Sequence, residues 1–208
     1  INTAEYFIGN IQMNLNTLEA ARLYGVTNLV SFMSTCVFPD KINFPLRPEY
    51  LHNGPPHPSN FGYAYAKRML EVQTRAYRMQ WGLNYVIGVP TNIYGPCDNF
   101  DLVEAHVVPA LIHKVWNAKR SGEPLEIWGS GRPMREFVFS KDIAKLAVWM
   151  LDHYDSPDPL ILSNNMETSI GKLVELVCSN MEFCGKVVFD SSKPDGQYRK
   201  PSDNSELR

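Results

Sequence analysis

The chain has 208 residues, 44% of them apolar, with 20 basic against 22 acidic side chains and a formal charge of −2. That is enough apolar material for one large domain or two modest ones, and the scattered charges form no basic stripe that would select nucleic acid or an anionic membrane as partner. No run approaches the roughly 20 apolar residues of a membrane span, and the opening Ile1-Asn2-Thr3-Ala4-Glu5 lacks the pattern of a signal peptide.

Apolar residues at Ile8, Ile11, Leu15, Leu18 and Leu23, closed by Gly25, predict a helix over about 5–24. Leu29-Val30-Ser31-Phe32-Met33 follows as a buried parallel strand, and its polar exit Ser34-Thr35-Cys36 falls at the carboxyl end, where open α/β sheets bind ligands. Residues 38–59 are rich in Pro, Asn, Gly and His and predict a long irregular loop. Ser59 or Asn60 then offers a cap for a helix from about Tyr63 to Trp81, stopped by Gly82, and Leu83 to Val89 reads as a strand ended by Pro90. This alternation implies βαβ crossovers and a parallel sheet whose opening strands lie outside the chain.

Beyond Gly95-Pro96 the pattern changes: a helix near 106–119, a strand at 125–128, a glycine turn, a strand at 136–139, a helix from Ser140 to about Tyr154, a helix near 169–181 and a strand at 186–190. The expected fold class is therefore α/β, a partial Rossmann-type parallel sheet with a smaller α+β portion. Residues 1–96 would be the remainder of the dinucleotide domain with the catalytic residues. Residues 97–208, with Ile161-Leu162 among them, would be mainly the substrate-binding portion, interleaved with the first. Cys36, Cys97, Cys178 and Cys184 are too dispersed for a metal site and, with no Asn-x-Ser/Thr acceptor, predict free thiols in the reducing cytoplasm.

Tyr63 and Lys67 stand four apart and share a helix face. A phenol of pKa about 10 is a poor acid-base group at neutral pH, but a neighbouring ammonium stabilises its phenolate and suits it to carbonyl reduction. With Ser34 at the preceding strand end, the order Ser, Tyr, Lys resembles the short-chain dehydrogenase superfamily. The resemblance implies Tyr63 as proton donor or acceptor, Ser34 orienting the carbonyl, and Lys67 holding the nicotinamide ribose and lowering the phenol's pKa.

Four stretches narrow this: Ser34-Thr35-Cys36-Val37-Phe38-Pro39, His52-Asn53-Gly54-Pro55-Pro56-His57, Pro90-Thr91-Asn92-Ile93-Tyr94-Gly95-Pro96 and His106-Val107-Val108-Pro109-Ala110-Leu111-Ile112-His113-Lys114. Together they resemble the GDP-L-fucose synthase family, across essentially the whole chain. The resemblance implies conversion of GDP-4-keto-6-deoxy-D-mannose to GDP-L-fucose, by epimerisation at C3 and C5 and then reduction at C4 with NADPH. Inverting a carbon beside a ketone needs one group to remove a proton and another to return one, and a thiol and an imidazole can both exchange protons near neutrality. The family match assigns these roles to Cys36 and His106. It places Phe32, Met33, Ser34, Thr35, Lys67, Pro90, Thr91, Asn92, Ile93 and His106 around NADP(H), and Lys114, Trp128, Arg135 and Asp195 on the GDP-sugar. A homodimer through a helix bundle that includes the Tyr63 helix is also implied.

Gly129-Ser130-Gly131 is the sole Gly-x-Gly and lacks a third glycine, so the dinucleotide fingerprint is absent from these residues. The chain looks truncated at both ends of the family pattern, as a fragment or naturally, and on its own should bind NADPH poorly. Two alternatives stand beside the main reading. One is another extended nucleotide-sugar epimerase or dehydratase, although dehydratases follow the hydroxyl residue with Asp-Glu where this chain has Cys36-Val37. The other is a non-catalytic truncated homologue acting as a binding module.

Overall fold

The computed structural model describes residues 2–207. In chain order the helices are α1 (Thr3–Leu23), α2 (Phe61–Trp81), α3 (Val107–Ser121), α4 (Ser140–His153) and α5 (Ile170–Asn180). The strands are β1 (Asn28–Phe32), β2 (Asn84–Pro90), β3 (Asn92–Tyr94), β4 (Leu125–Trp128), β5 (Met134–Phe139), β6 (Leu160–Leu162), β7 (Glu167–Ser169) and β8 (Val187–Asp190). Two compact units result. The first comprises Ile1–Thr91, Lys141–Asn165 and Ser202–Arg208, the second Asn92–Ser140 and Met166–Pro201.

The first unit carries an all-parallel sheet in the order β1-β2-β6, with Phe32 opposite Gly88 and Gly88 opposite Leu160. The α/β class with a parallel sheet expected from the sequence is what the chain adopts. β2 is buried from Tyr85 to Pro90, as a central parallel strand covered on both faces requires. β1 pairs with β2 alone among the described residues. Leu160-Ile161-Leu162, expected in the smaller portion, adds to this sheet instead; three consecutive fully buried side chains have no solvent face to offer an outer position. The core gathers Leu18, Met33, Val37, Phe38, Leu46, Leu70, Tyr85, Ile87, Val89 and Ile161. At roughly 1.5–3 kcal/mol for each large apolar side chain removed from water, these residues supply most of the drive to fold this unit.

α1 forms where the sequence places a helix, but it buries little of its apolar side. Of its five periodic apolar residues only Leu18 is fully buried, while Ile8, Leu15 and Leu23 are exposed. The inner face includes Asn14, whose amide donates to the carbonyl of Ala66 on α2 at 3.3 Å. α2 begins at Phe61, after a short turn over Pro58–Asn60. The expected Asn60 side-chain cap is not made; the imidazole of His57 accepts the Ser59 N–H (3.2 Å) and caps the turn instead. Gly82 closes α2 at φ 66°, its N–H donating to the Arg78 carbonyl, in the left-handed conformation that favours glycine.

The second unit pairs β3 with β5 in parallel, β5 with β7 antiparallel, and β4 with β8 in parallel. β3 and β7 were not anticipated, since three residues carry no readable period. α3 and α5 cover this unit's core of Leu111, Val115, Leu125, Ile127, Leu173 and Val174.

Candidate active site

β1 ends at Phe32, and Met33 N–H still bonds the Gly88 carbonyl at 2.9 Å, so the ladder delivers the chain at a fixed height to Ser34. There it turns sharply. Ser34 is extended (φ −148°, ψ 153°) and caps a tight turn over Thr35–Val37, its Oγ accepting the Cys36 N–H at 3.3 Å. The same hydroxyl hydrogen-bonds to Tyr63, which stands with Lys67 on the half-buried face of α2. Ser34, Cys36, Tyr63 and Lys67, scattered over 34 positions, thus come together in one unit.

The electrostatics differ from the expectation in one respect. Burial pushes the Tyr63 phenol above its ordinary value of 10, the negative form of Cys36 pushes in the same direction, and the Ser34 hydrogen bond pulls the other way. The expected depression by Lys67 is not found. Its ammonium donates to the Phe32 carbonyl at 3.1 Å, lies 6.0 Å from the Tyr63 ring centroid, and is itself lowered by burial. Tyr63 is therefore held as the neutral phenol at physiological pH.

Phe32, Met33 and Thr35 flank the same turn; Met33 is buried in the core, the other two are half-buried. Pro90 ends β2 and Thr91 follows it, both buried, and the Thr91 hydroxyl has no hydrogen-bond partner among the described residues.

The remaining candidates lie in the second unit. Asn92 and Ile93 are on β3, with the Asn92 amide donating to the Glu136 carbonyl at 2.8 Å and Ile93 exposed. His106 is the residue before α3, exposed, and its imidazole makes no capping bond. Lys114 reaches from α3 to the end of β4, where its Nζ donates to the Glu126 carbonyl and lies 4.8 Å from the centroid of the Trp128 ring. That indole is 62% exposed, and Lys193 approaches it at 5.6 Å. Asp195 accepts both the N–H (2.6 Å) and the hydroxyl (2.7 Å) of Ser130, bonds that hold its carboxyl below the ordinary range. It thereby ties down Gly129-Ser130-Gly131, where the positive φ of both glycines (86° and 75°) makes the tight turn. The Arg135 guanidinium runs along β5, donating to the Met134 carbonyl at 2.7 Å and passing close to Gly196. Lys114, Trp128 and Lys193 thus stand together at the carboxyl end of β4, with Asp195 holding the turn that follows it.

Lys193, Arg68 and Glu71 escaped the sequence reading. Lys193 had a faint signal, two residues before Asp195. The other two reveal themselves only through contacts with the 38–59 loop, described below.

Comparison with known proteins agrees with this geometry. The model of the NAD dependent epimerase/dehydratase family matches residues 1–163. A GDP-L-fucose synthase of Dictyostelium discoideum is 48% identical over 206 residues, which are 98% of this chain and 64% of that protein. A probable GDP-L-fucose synthase of Drosophila melanogaster is 39% identical over 216 residues, 100% of this chain and 67% of that one. The crystal structure of a GDP-L-fucose synthetase from Naegleria fowleri, bound to NADP, superposes with a TM-score of 0.95 at 40% identity over 99% of this chain and 66% of its own. The chain spans 64% of the Dictyostelium protein. With the Ser34–Val37 turn, the Tyr63-Lys67 helix and the parallel sheet in place, the chain belongs to the NAD dependent epimerase/dehydratase family, on the branch that holds the GDP-L-fucose synthases.

Proposed function

We propose that the protein converts GDP-4-keto-6-deoxy-D-mannose to GDP-L-fucose, epimerising C3 and C5 and then reducing the C4 carbonyl. The observation that carries the reading is the grouping of a neutral phenol, a hydroxyl and a thiol at one turn, Tyr63, Ser34 and Cys36, with a half-buried ammonium, Lys67, beside them. A hydroxyl that orients a carbonyl and a phenol that protonates its oxygen are what ketone reduction asks of a protein. Cys36, two residues from Ser34, takes or returns a proton at the carbon next to that carbonyl, and His106 is the second such group.

These residues fit the nicotinamide-ribose end of NADP(H): Lys67 has a carbonyl but no carboxylate partner among the described residues, and the Thr91 hydroxyl is buried without one. Bound there, NADPH supplies two electrons and a hydrogen to C4. Ser34 and Lys67 would hold the ribose, with Phe32, Met33 and Thr35 beside them and Pro90 and Thr91 toward the nicotinamide; Asn92 and Ile93 of the second unit are further candidate contacts. Lys114, Trp128 and Arg135 bind the GDP moiety, with Asp195 setting the loop beside them. The apolar residues that α1 and α2 leave exposed, among them Tyr6, Ile8, Met13, Phe61, Met69 and Val72, support a homodimer through these helices. Four unpaired thiols support a reducing, cytoplasmic setting. No helix among the described residues is long and apolar enough to cross a membrane.

The test is incubation of the protein, expressed from its complete coding sequence, with the 4-keto sugar nucleotide and NADPH, following NADPH consumption and the product by NMR. Turnover to GDP-L-fucose is expected. Tyr63→Phe should abolish reduction while deuterium still washes into C3 and C5, and Cys36→Ser should do the reverse to the wash-in. No turnover by the unmodified protein would sink the enzymatic reading.

A further inference from the structure

Arg68 follows Lys67 on α2 and is 4% exposed, yet no carboxylate among the described residues pairs with it. A buried cation without a counter-charge is costly unless its hydrogen bonds are well placed. Its bonds go to main-chain oxygens: Nε donates to the Val37 carbonyl at 2.7 Å and Nη1 to the Gly54 carbonyl at 2.8 Å. The Tyr65 ring lies 5.5 Å from the guanidinium carbon, and Nη2 has no partner among the described residues.

The positions of those oxygens give the arrangement its meaning. Lys67 holds the carbonyl of Phe32 and Arg68 that of Val37, so consecutive basic residues of one helix grip the main chain on either side of Met33-Ser34-Thr35-Cys36. The second arm of Arg68 grips Gly54, where the loop returns past Pro39; Pro39 and Pro56 form an isolated antiparallel bridge, and the Asp40 N–H bonds the Pro55 carbonyl at 3.0 Å. The planar guanidinium fork therefore closes both ends of the loop on α2 while fixing the residue next to Cys36. An ammonium is a single point donor and cannot reproduce the two directions.

We propose that Arg68 is a positioning residue for Cys36, setting the turn that carries the thiol and thereby its reach to the sugar carbon. The inference rests on the acid-base role of Cys36 given above. Displacing an acid-base group by about 1 Å can cost ~10²-fold in rate, so a loss of about tenfold or more in proton exchange is expected when the clamp is cut. Reduction at C4 of the already epimerised ketone, which depends on Tyr63 and on Ser34 at the end of the turn that Lys67 holds, and affinity for NADPH should change about threefold or less.

The experiment compares Arg68→Met, Arg68→Lys and Cys36→Ser in the protein expressed from its complete coding sequence. Four quantities are read: deuterium wash-in at C3 and C5 of the 4-keto sugar nucleotide, the rate of C4 reduction of the already epimerised ketone, NADPH affinity, and the rate at which iodoacetamide labels Cys36, with Cys184 as the exposed reference thiol. The expected result is a fall in wash-in of at least about tenfold for Arg68→Met and a smaller fall for Arg68→Lys, at near-normal NADPH affinity. Labelling of Cys36 should rise relative to Cys184 in both. Should Arg68→Met fail to fold, Arg68→Lys decides alone. Unchanged wash-in and unchanged labelling overturn the proposal, and so does a uniform loss of wash-in, reduction and NADPH affinity, which would make Arg68 a general structural residue. If Cys36→Ser retains normal wash-in, the role of Cys36 falls, and the labelling rates still decide whether Arg68 sets the turn.

Discussion

Replacing Glu71 with alanine should destabilise the first unit by about 2–3 kcal/mol. Glu71 lies one turn beyond Lys67 on α2 with its side chain only 4% exposed, accepting from Arg75 (2.8 Å) and engaging Nε2 of His52 (3.0 Å) in the loop. Hydrogen bonds to charged groups contribute roughly 1.5–3 kcal/mol each when buried. Here the partners are 43% and 50% exposed and regain water once the carboxylate is gone, which brings each link down to about 1 kcal/mol; lost packing of the stem adds the remainder. Arg75 also keeps its 3.3 Å contact with Asp158. For a chain of this size 1 kcal/mol moves Tm by about 2–4 °C, so thermal unfolding followed by circular dichroism should show a fall of about 5–10 °C. Glu71→Gln retains the shape and one acceptor and should lose about half as much, as should His52→Ala. An alanine variant melting within about 1 °C of the parent would refute the reasoning, because the buried carboxylate would then contribute nothing net.

Other outcomes follow from single contacts. Gly88→Ala places a Cβ 2.9 Å from Leu162 Cδ1 and 3.0 Å from Phe32 Cε1; a cost of about 1–3 kcal/mol is expected in chemical denaturation, partly recovered by adding Leu162→Val, and additive effects would count against the packing argument. Glu19 has its pKa lowered from 4.5 to about 2, first by the hydrogen bond from Arg22 and then by that from Tyr77. A depressed carboxyl contributes stability above pH 4.5 that disappears as pH falls through about 2, so Tyr77→Phe should raise the Glu19 pKa in a carbon-13 NMR titration, and an unmoved titration would exclude the Tyr77 contribution. Asp195→Ala removes both bonds to Ser130; GDP affinity, read from Trp128 fluorescence, should fall by about tenfold, and an unaltered affinity would detach the glycine turn from nucleotide binding.

The parts of the fold legible in the sequence were those governed by local periodicity or by a stop residue. β2 and α2 announce themselves through continuous apolar content and through Gly82; the spacing of Tyr63 and Lys67 puts them on one helix face, and the family resemblance adds Ser34 to them. Contacts between distant segments leave no such trace. Arg68 meets Val37 and Gly54 across 31 and 14 positions, and Glu71 meets His52 across 19; in sequence each is simply a charged residue on a helix. The apolar spacing of α1 foretells the helix but not which residues are buried, since helical spacing reports a face without saying what covers it. Burial raises the Tyr63 pKa, and burial is a property of packing that the four-residue spacing to Lys67 does not carry.

The pair of basic residues beginning at Lys67 grips peptide oxygens, and peptide oxygens are the same whatever side chains they carry. Positions 35 and 36 therefore take their placement from main-chain contacts on either side and not from their own side chains: α2 acts as a jig for the turn that carries Thr35 and Cys36. A turn clamped in this way marks those two positions as the place where side chains can be exchanged by design without reworking the core.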